Sequence, residues 1–182
     1  VQTKWIETEN ETKIVAPTID AITGDKLTTF APNTVGIPYF KGRDQQPFSM
    51  EICKQLFDLS KLFERRENME IVAQSFEVCA IQENEYRKTE TSDLTPRKVL
   101  QDTIDTCAIL AKKGKGSADE KQKFTELQKG IRAFGTGFLM NGNFRIDDAV
   151  PAAARIAYLS AKILHKDVSP IEHFQEQDIK EW

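Results

Sequence analysis

From Met50 to about Tyr86, apolar side chains return every three or four residues. Ile52, Leu56, Leu59 and Phe63 form one series, and Met69, Val72, Phe76 and Cys79 form a second beyond Glu64-Arg65-Arg66-Glu67. Steps of that length line up on one face of a helix. No Gly or Pro separates the two series, so the pattern fits one long helix or two. Ser49 stands where a hydroxyl would cap the first turn. Thr95-Pro96 then reads as a cap followed by proline at the first helical position. Val99, Leu100, Ile104, Cys107, Ala108 and Ala111 carry that helix forward.

The same spacing continues through Phe124, Leu127, Ile131 and Phe134, at steps of 3, 4 and 3. Gly135 and Gly137 end or loosen this helix, and Asn141-Gly142-Asn143 is a turn signal. Asp147 or Asp148 caps a further helix, with Pro151 in its first turn. Its segment AAARIAYLSAKIL is apolar or small nearly all round, which predicts a central, buried position. Ser169-Pro170-Ile171-Glu172 predicts the start of a short last helix. The fold class expected is mainly α: a single helical domain of five or six helices.

Residues 1–48 lack this period. Pro17, Pro32, Pro38 and Pro47 punctuate them, and a hairpin around Gly24-Asp25 is a weak strand signal. Their apolar content requires cover, so an extended N-terminal arm lying on a surface is expected. That surface is either the chain's own core or a neighbouring subunit, with Trp5, Phe30 and Tyr39 as anchors. Residues 49–166 form the expected helical core, and 167–182 an acidic tail in which Ile171, Phe174, Ile179 and Trp182 sit among acids. Trp182 joins the candidate interface residues.

The segment Lys113-Gly-Lys-Gly-Ser117 is the one stretch that resembles a phosphate loop. A Walker-type loop needs GxxxxGK[ST] between a strand and a helix. Here the first glycine is missing and the preceding segment is helical. Lys112 and Lys113 suit a helix C-terminus, Gly114 suits the left-handed cap, and Ser117 with Glu120 makes a capping box. The segment is therefore read as a joint between helices.

Composition narrows the class. Of 182 residues, 40% are apolar and 29% charged, as in a globular protein, and no apolar run reaches bilayer length. No basic-then-apolar leader is present, so the setting expected is intracellular and cytoplasmic. Cys53, Cys79 and Cys107 form no CxxC pair and, with two histidines, no recognisable metal set. They are expected as buried free thiols. Net charge is −3, but residues 96–166 carry 13 Lys and Arg against 7 Asp and Glu. Such a basic block marks either a polyanion site or a solvated face.

Arg155, Tyr158, Lys162 and His165 recur at 3, 4 and 3 on the alanine-rich helix. Cations beside an aromatic are what grooves for single-stranded nucleic acid use. Arg132 and Arg145 are candidates for the same groove, together with Lys129. The competing reading is that this stripe simply faces solvent. No catalytic residue, metal ligand or cofactor is expected. Asp147-Asp148 point in different directions, and His165 and His173 lie across an expected helix break.

The function expected from these features is non-enzymatic: a self-assembling structural protein with arms between subunits, binding single-stranded nucleic acid in a basic groove. In layout alone this resembles viral nucleoproteins, capsid and filament coat proteins, without any motif of a particular family. The alternatives are a helical adaptor that binds protein partners and an enzyme with a dispersed site.

Overall fold

The computed structural model describes residues 14–87, 94–139 and 143–171. Among them are six helices: α1 (Ile19–Thr29), α2 (Ser49–Arg65), α3 (Met69–Tyr86), α4 (Pro96–Ala111), α5 (Ala118–Gly137) and α6 (Ile146–Leu164). A two-residue antiparallel ribbon, β1 (Phe40–Lys41) and β2 (Gln46–Pro47), pairs Phe40 with Pro47. The protein is mainly α, as its periodicity predicts.

The charged stretch between the two apolar series is a break. Arg66 is extended, and the Asn68 carboxamide accepts from the N–H groups of Glu70 (3.0 Å) and Ile71 (3.2 Å) to start α3. A side-chain cap thus divides the helices without Gly or Pro. Thr95 caps α4 ahead of Pro96, and the Ser117/Glu120 capping box opens α5, both as expected. Lys113 and Gly114 have positive φ, so the glycine-rich stretch is the joint between α4 and α5.

Other expected caps differ. Ser49 is the first residue of α2, and its buried hydroxyl donates to Glu126 on α5 (3.3 Å). At α6 the cap position is Arg145, and the Asp148 carboxylate accepts from the Arg145 N–H at 2.9 Å. Pro151 falls in the second turn of that helix. Helix α5 runs through Gly135 and ends at Gly137. The continuation of the Ser169-Pro170 signal, from residue 172, lies outside the described residues, as do Asn141 and Gly142.

The expected arm needs the largest correction. Residues 19–29, where a hairpin was the expectation, form α1, which packs on α3 and α2. Thr18 caps it through a 3.1 Å bond from the Ala21 N–H. A Cβ on Gly24 would come within 2.5 Å of the Val72 carbonyl oxygen, so only glycine lets α1 lie this close to α3. Phe30 and Tyr39 are buried with Leu27, Ile52, Leu56 and Leu127 in the chain's own core. They are therefore unavailable as anchors on another subunit. Trp5 and Trp182 lie outside the described residues.

The helix expected at the centre also changes. Helix α2 contacts α1, α5 and α6, and most of its residues are buried or half-buried. Helix α6 packs on α4 and α2 but leaves Pro151, Ala154, Arg155 and Tyr158 exposed. Alanine-rich composition lets it approach its neighbours closely without hiding every face. Cys53 and Cys107 are buried thiols as expected, whereas Cys79 is half-buried. Burial pushes the Cys53 and Cys107 thiols up, away from the reactive thiolate.

Candidate nucleic-acid interface

The expected stripe on α6 divides in the structure. Lys162 is buried, 6% exposed, with its ammonium 2.5 Å from Asp167 Oδ2 and 2.8 Å from Ser169 Oγ. A buried charge persists only when paired, and here the chain turns back after α6 to supply the partners. Lys162 is thus a structural residue closing a helix terminus and is withdrawn from any polyanion contact. The same ion pair and the Ser169 bonds hold the Asp167 carboxyl down to about 2.

Arg155 and Tyr158 keep exposed surface. The Arg155 guanidinium lies 3.0 Å from Glu64 Oε1, with both side chains about half exposed. Such a pair is worth little in water and opens readily to a competing anion. Tyr158 is 42% exposed, and the Lys162 ammonium approaches its ring at 5.9 Å. Arg145 and Arg132 are exposed. Arg145 follows Phe144, whose ring meets Phe57, and is the residue just before α6; among the described residues no contact joins it to Arg155 or Tyr158. Arg132 stands on α5, and among the described residues no contact joins it to Arg155 or Tyr158.

The cations that share a face with Arg155 come instead from α2. Lys54, Phe57, Lys61 and Glu64 recur at 3, 4 and 3, opposite the apolar series Ile52, Leu56, Leu59 and Phe63. The Lys54 ammonium sits 5.2 Å over the Phe138 ring, and that of Lys61 5.2 Å over Phe57. Phe57 meets Phe134 at 5.2 Å and Phe144 at 5.4 Å, while Phe138 stacks on Phe134 at 5.7 Å. Phe138 remains 54% exposed. Phe57 beside Phe144 and Glu64 beside Arg155 show that α2 and α6 run side by side in the same sense.

The result is a seam carrying Lys54, Lys61 and Arg155 around Phe57, Phe138 and Tyr158, with Glu64 as the acid that meets it. The stripe on α2 could have been read from its spacing, but Phe138 could not, because its neighbour Lys54 is distant in sequence. Elsewhere in the basic block four lysines are paired with acids. Lys112 pairs with Glu120, Lys113 with Asp147, Lys123 with Asp119 and Lys129 with Glu126. The surplus of charge in residues 96–166 is therefore a poor guide to where an anion would sit.

Among the described residues no group of three or more His, Cys, Asp or Glu is arranged to hold a metal ion. Among them too, no helix is long and apolar enough to cross a membrane. Ile14, Val15, Ile19, Val78 and Ile81 are also exposed, and a cleft between α1 and α3 is lined by Pro17, Ala21, Ile22 and Val78. No family model matches the chain, and no curated protein or solved structure is significantly similar to it.

Proposed function

We propose that this is a non-enzymatic structural protein that self-assembles in the cytoplasm and holds single-stranded nucleic acid along the seam between α2 and α6. The observation that carries this reading is the grouping of Lys54, Lys61 and Arg155 with the open rings of Phe138 and Tyr158 on one face. Cations neutralise a phosphate backbone, and exposed rings stack on bases of any identity. The apolar residues left uncovered on α1 and α3 support the self-assembling half, since isolated monomers seldom expose such clusters.

Size-exclusion chromatography of the purified protein, read at 260 and 280 nm, tests this directly. A high-mass species with a raised ratio is the expected result. A clean monomer or dimer at the ratio of protein alone favours the alternative, a helical adaptor that binds protein partners. The adaptor reading draws on the ion pairs of Lys112, Lys113, Lys123 and Lys129 within the basic block and on the exposed apolar residues Ile19, Val78 and Ile81 of α1 and α3.

A further inference from the structure

A cleft of about 430 Å³ opens between α3, α4 and the end of α6. Phe76, Leu100 and Val168 give it apolar walls, and among its described lining residues are the cations Arg97 and Lys166 and one acid, Glu77. Its size falls in the range of clefts that enclose one or two large side chains rather than a water or two. Val168, 46% exposed, belongs to the chain as it leaves α6.

That exit is fixed. Asp167 accepts from Lys162 Nζ through one oxygen and from the Ser169 N–H (2.9 Å) through the other, so the turn from Lys166 to Ser169 is held against the helix end. Val168 is set into the cleft wall by this turn, and Ile171 packs against the core three residues later. The next eleven residues, 172–182, carry Glu172, Glu176, Asp178 and Glu181 against the lone cation Lys180, with Phe174, Ile179 and Trp182 between them. They complement the cleft in both respects: apolar side chains for its walls, and acids for Arg97 and Lys166. Extended, eleven residues span at most about 40 Å, which is ample to return to a cleft whose wall the same chain has just formed.

We propose that this cleft is the docking site of the chain's own acidic segment, residues 172–182, with the Trp182 side chain taken up between Phe76 and Val168. Because the segment is tethered at the rim, its effective concentration is in the millimolar range, and weak contacts suffice to hold it. This inference is independent of the nucleic-acid reading, since the cleft shares no residue with the seam of α2 and α6.

The chain has two tryptophans, Trp5 and Trp182, so Trp5→Phe makes Trp182 the sole indole reporter. In that protein, Trp182 emission is expected to be blue-shifted and shielded from acrylamide, to the same degree over a wide dilution range. Molar salt, which shortens the Debye length to ~3 Å, should weaken both effects. Arg97→Glu with Lys166→Glu changes two exposed positions and should shift the emission to the red with helicity unchanged. Adding Glu172→Lys and Asp178→Lys should restore the blue shift by exchanging the charges. Emission typical of free indole in the parent overturns the proposal. So does a blue shift that survives the double charge reversal, or one that vanishes on dilution, which would place the segment on a neighbouring copy.

Discussion

Asp102 Oδ1 accepts a 2.6 Å hydrogen bond from Asn33 Nδ2, joining the loop after α1 to the middle of α4. The other carboxylate oxygen accepts from the Asn33 backbone N–H at 2.8 Å and from Thr34 Oγ at 2.9 Å. Asp102 is buried, so its charge is solvated by these donors in place of water. The contact holds the proline-rich stretch before β1 on the helical core. Asp102→Ala leaves the donors without partners and should lower unfolding stability by about 2–4 kcal/mol. Asn33→Ala keeps the backbone bond and should cost about 1 kcal/mol. Urea denaturation with unchanged slope distinguishes the two.

Two glycines should respond to added bulk with opposite outcomes. A Cβ on Gly130 would sit 2.2 Å from the Ser49 carbonyl oxygen, whereas one on Gly137 meets nothing within 4 Å. Gly130→Ala must separate α5 from α2 at backbone contact and should destabilise by about 1–3 kcal/mol. Gly137→Ala enters open space at a helix end and should be neutral or stabilise by a few tenths of a kcal/mol, below the ~1 kcal/mol of a helix interior. Thermal melts of the two variants side by side give the comparison; equal shifts would refute the close approach of α5 to α2.

What the sequence made legible follows from which forces act locally. The series from Ile52 to Phe63 and from Phe124 to Phe134 lie on α2 and α5, because burial there follows helical period. The Thr95 and Ser117 caps were equally readable, since each is decided within four residues. Helix α1 was not. Its sequence IDAITGDKLTT has little amphipathic pattern, because Thr23, Gly24 and Thr28 are buried through close backbone approach rather than apolar bulk. Thr23 satisfies its hydroxyl on the Ile19 carbonyl (2.7 Å), a local bond that composition alone does not reveal. On the candidate seam, Arg155 and Tyr158 were legible from spacing, but the burial of Lys162 was decided by a turn beyond the helix.

The Lys162–Asp167 pair makes stability depend on acid in a defined window. The folded Asp167 carboxyl is held at about 2, below its ordinary value near 3.9 in an unfolded chain. A depressed carboxyl contributes fully above the unfolded value and loses its contribution as pH falls through the folded one. The stability gap between the parent and Asp167→Asn should therefore be constant from neutral pH down to about 5 and close between about 4 and 2. Thermal melts across that range, for both proteins, provide the check. A gap that persists at pH 2 would mean that Asp167 acts through its hydrogen bonds and not through its charge.

The seam between α2 and α6 predicts which cations set the salt dependence of binding. Lys54 and Lys61 lie over rings at 5.2 Å with no acid paired to either among the described contacts, whereas Lys162 is held by Asp167. Each lost phosphate contact should reduce the salt slope for a single-stranded oligonucleotide by about 0.7, so Lys54→Ala/Lys61→Ala should lose roughly 1.4. Phe138→Ala removes an exposed ring and should weaken binding by about 1–3 kcal/mol with an unchanged slope. Arg155→Ala removes a cation and also uncovers Glu64, so its loss of affinity should exceed that of Lys54→Ala or Lys61→Ala alone. Lys162→Ala should melt earlier yet keep the parent's slope while folded. Fluorescence anisotropy at several salt concentrations reads all seven proteins. Identical slopes in the parent and in Lys54→Ala/Lys61→Ala would reject the seam, and no binding by any of them at low salt would leave the adaptor reading.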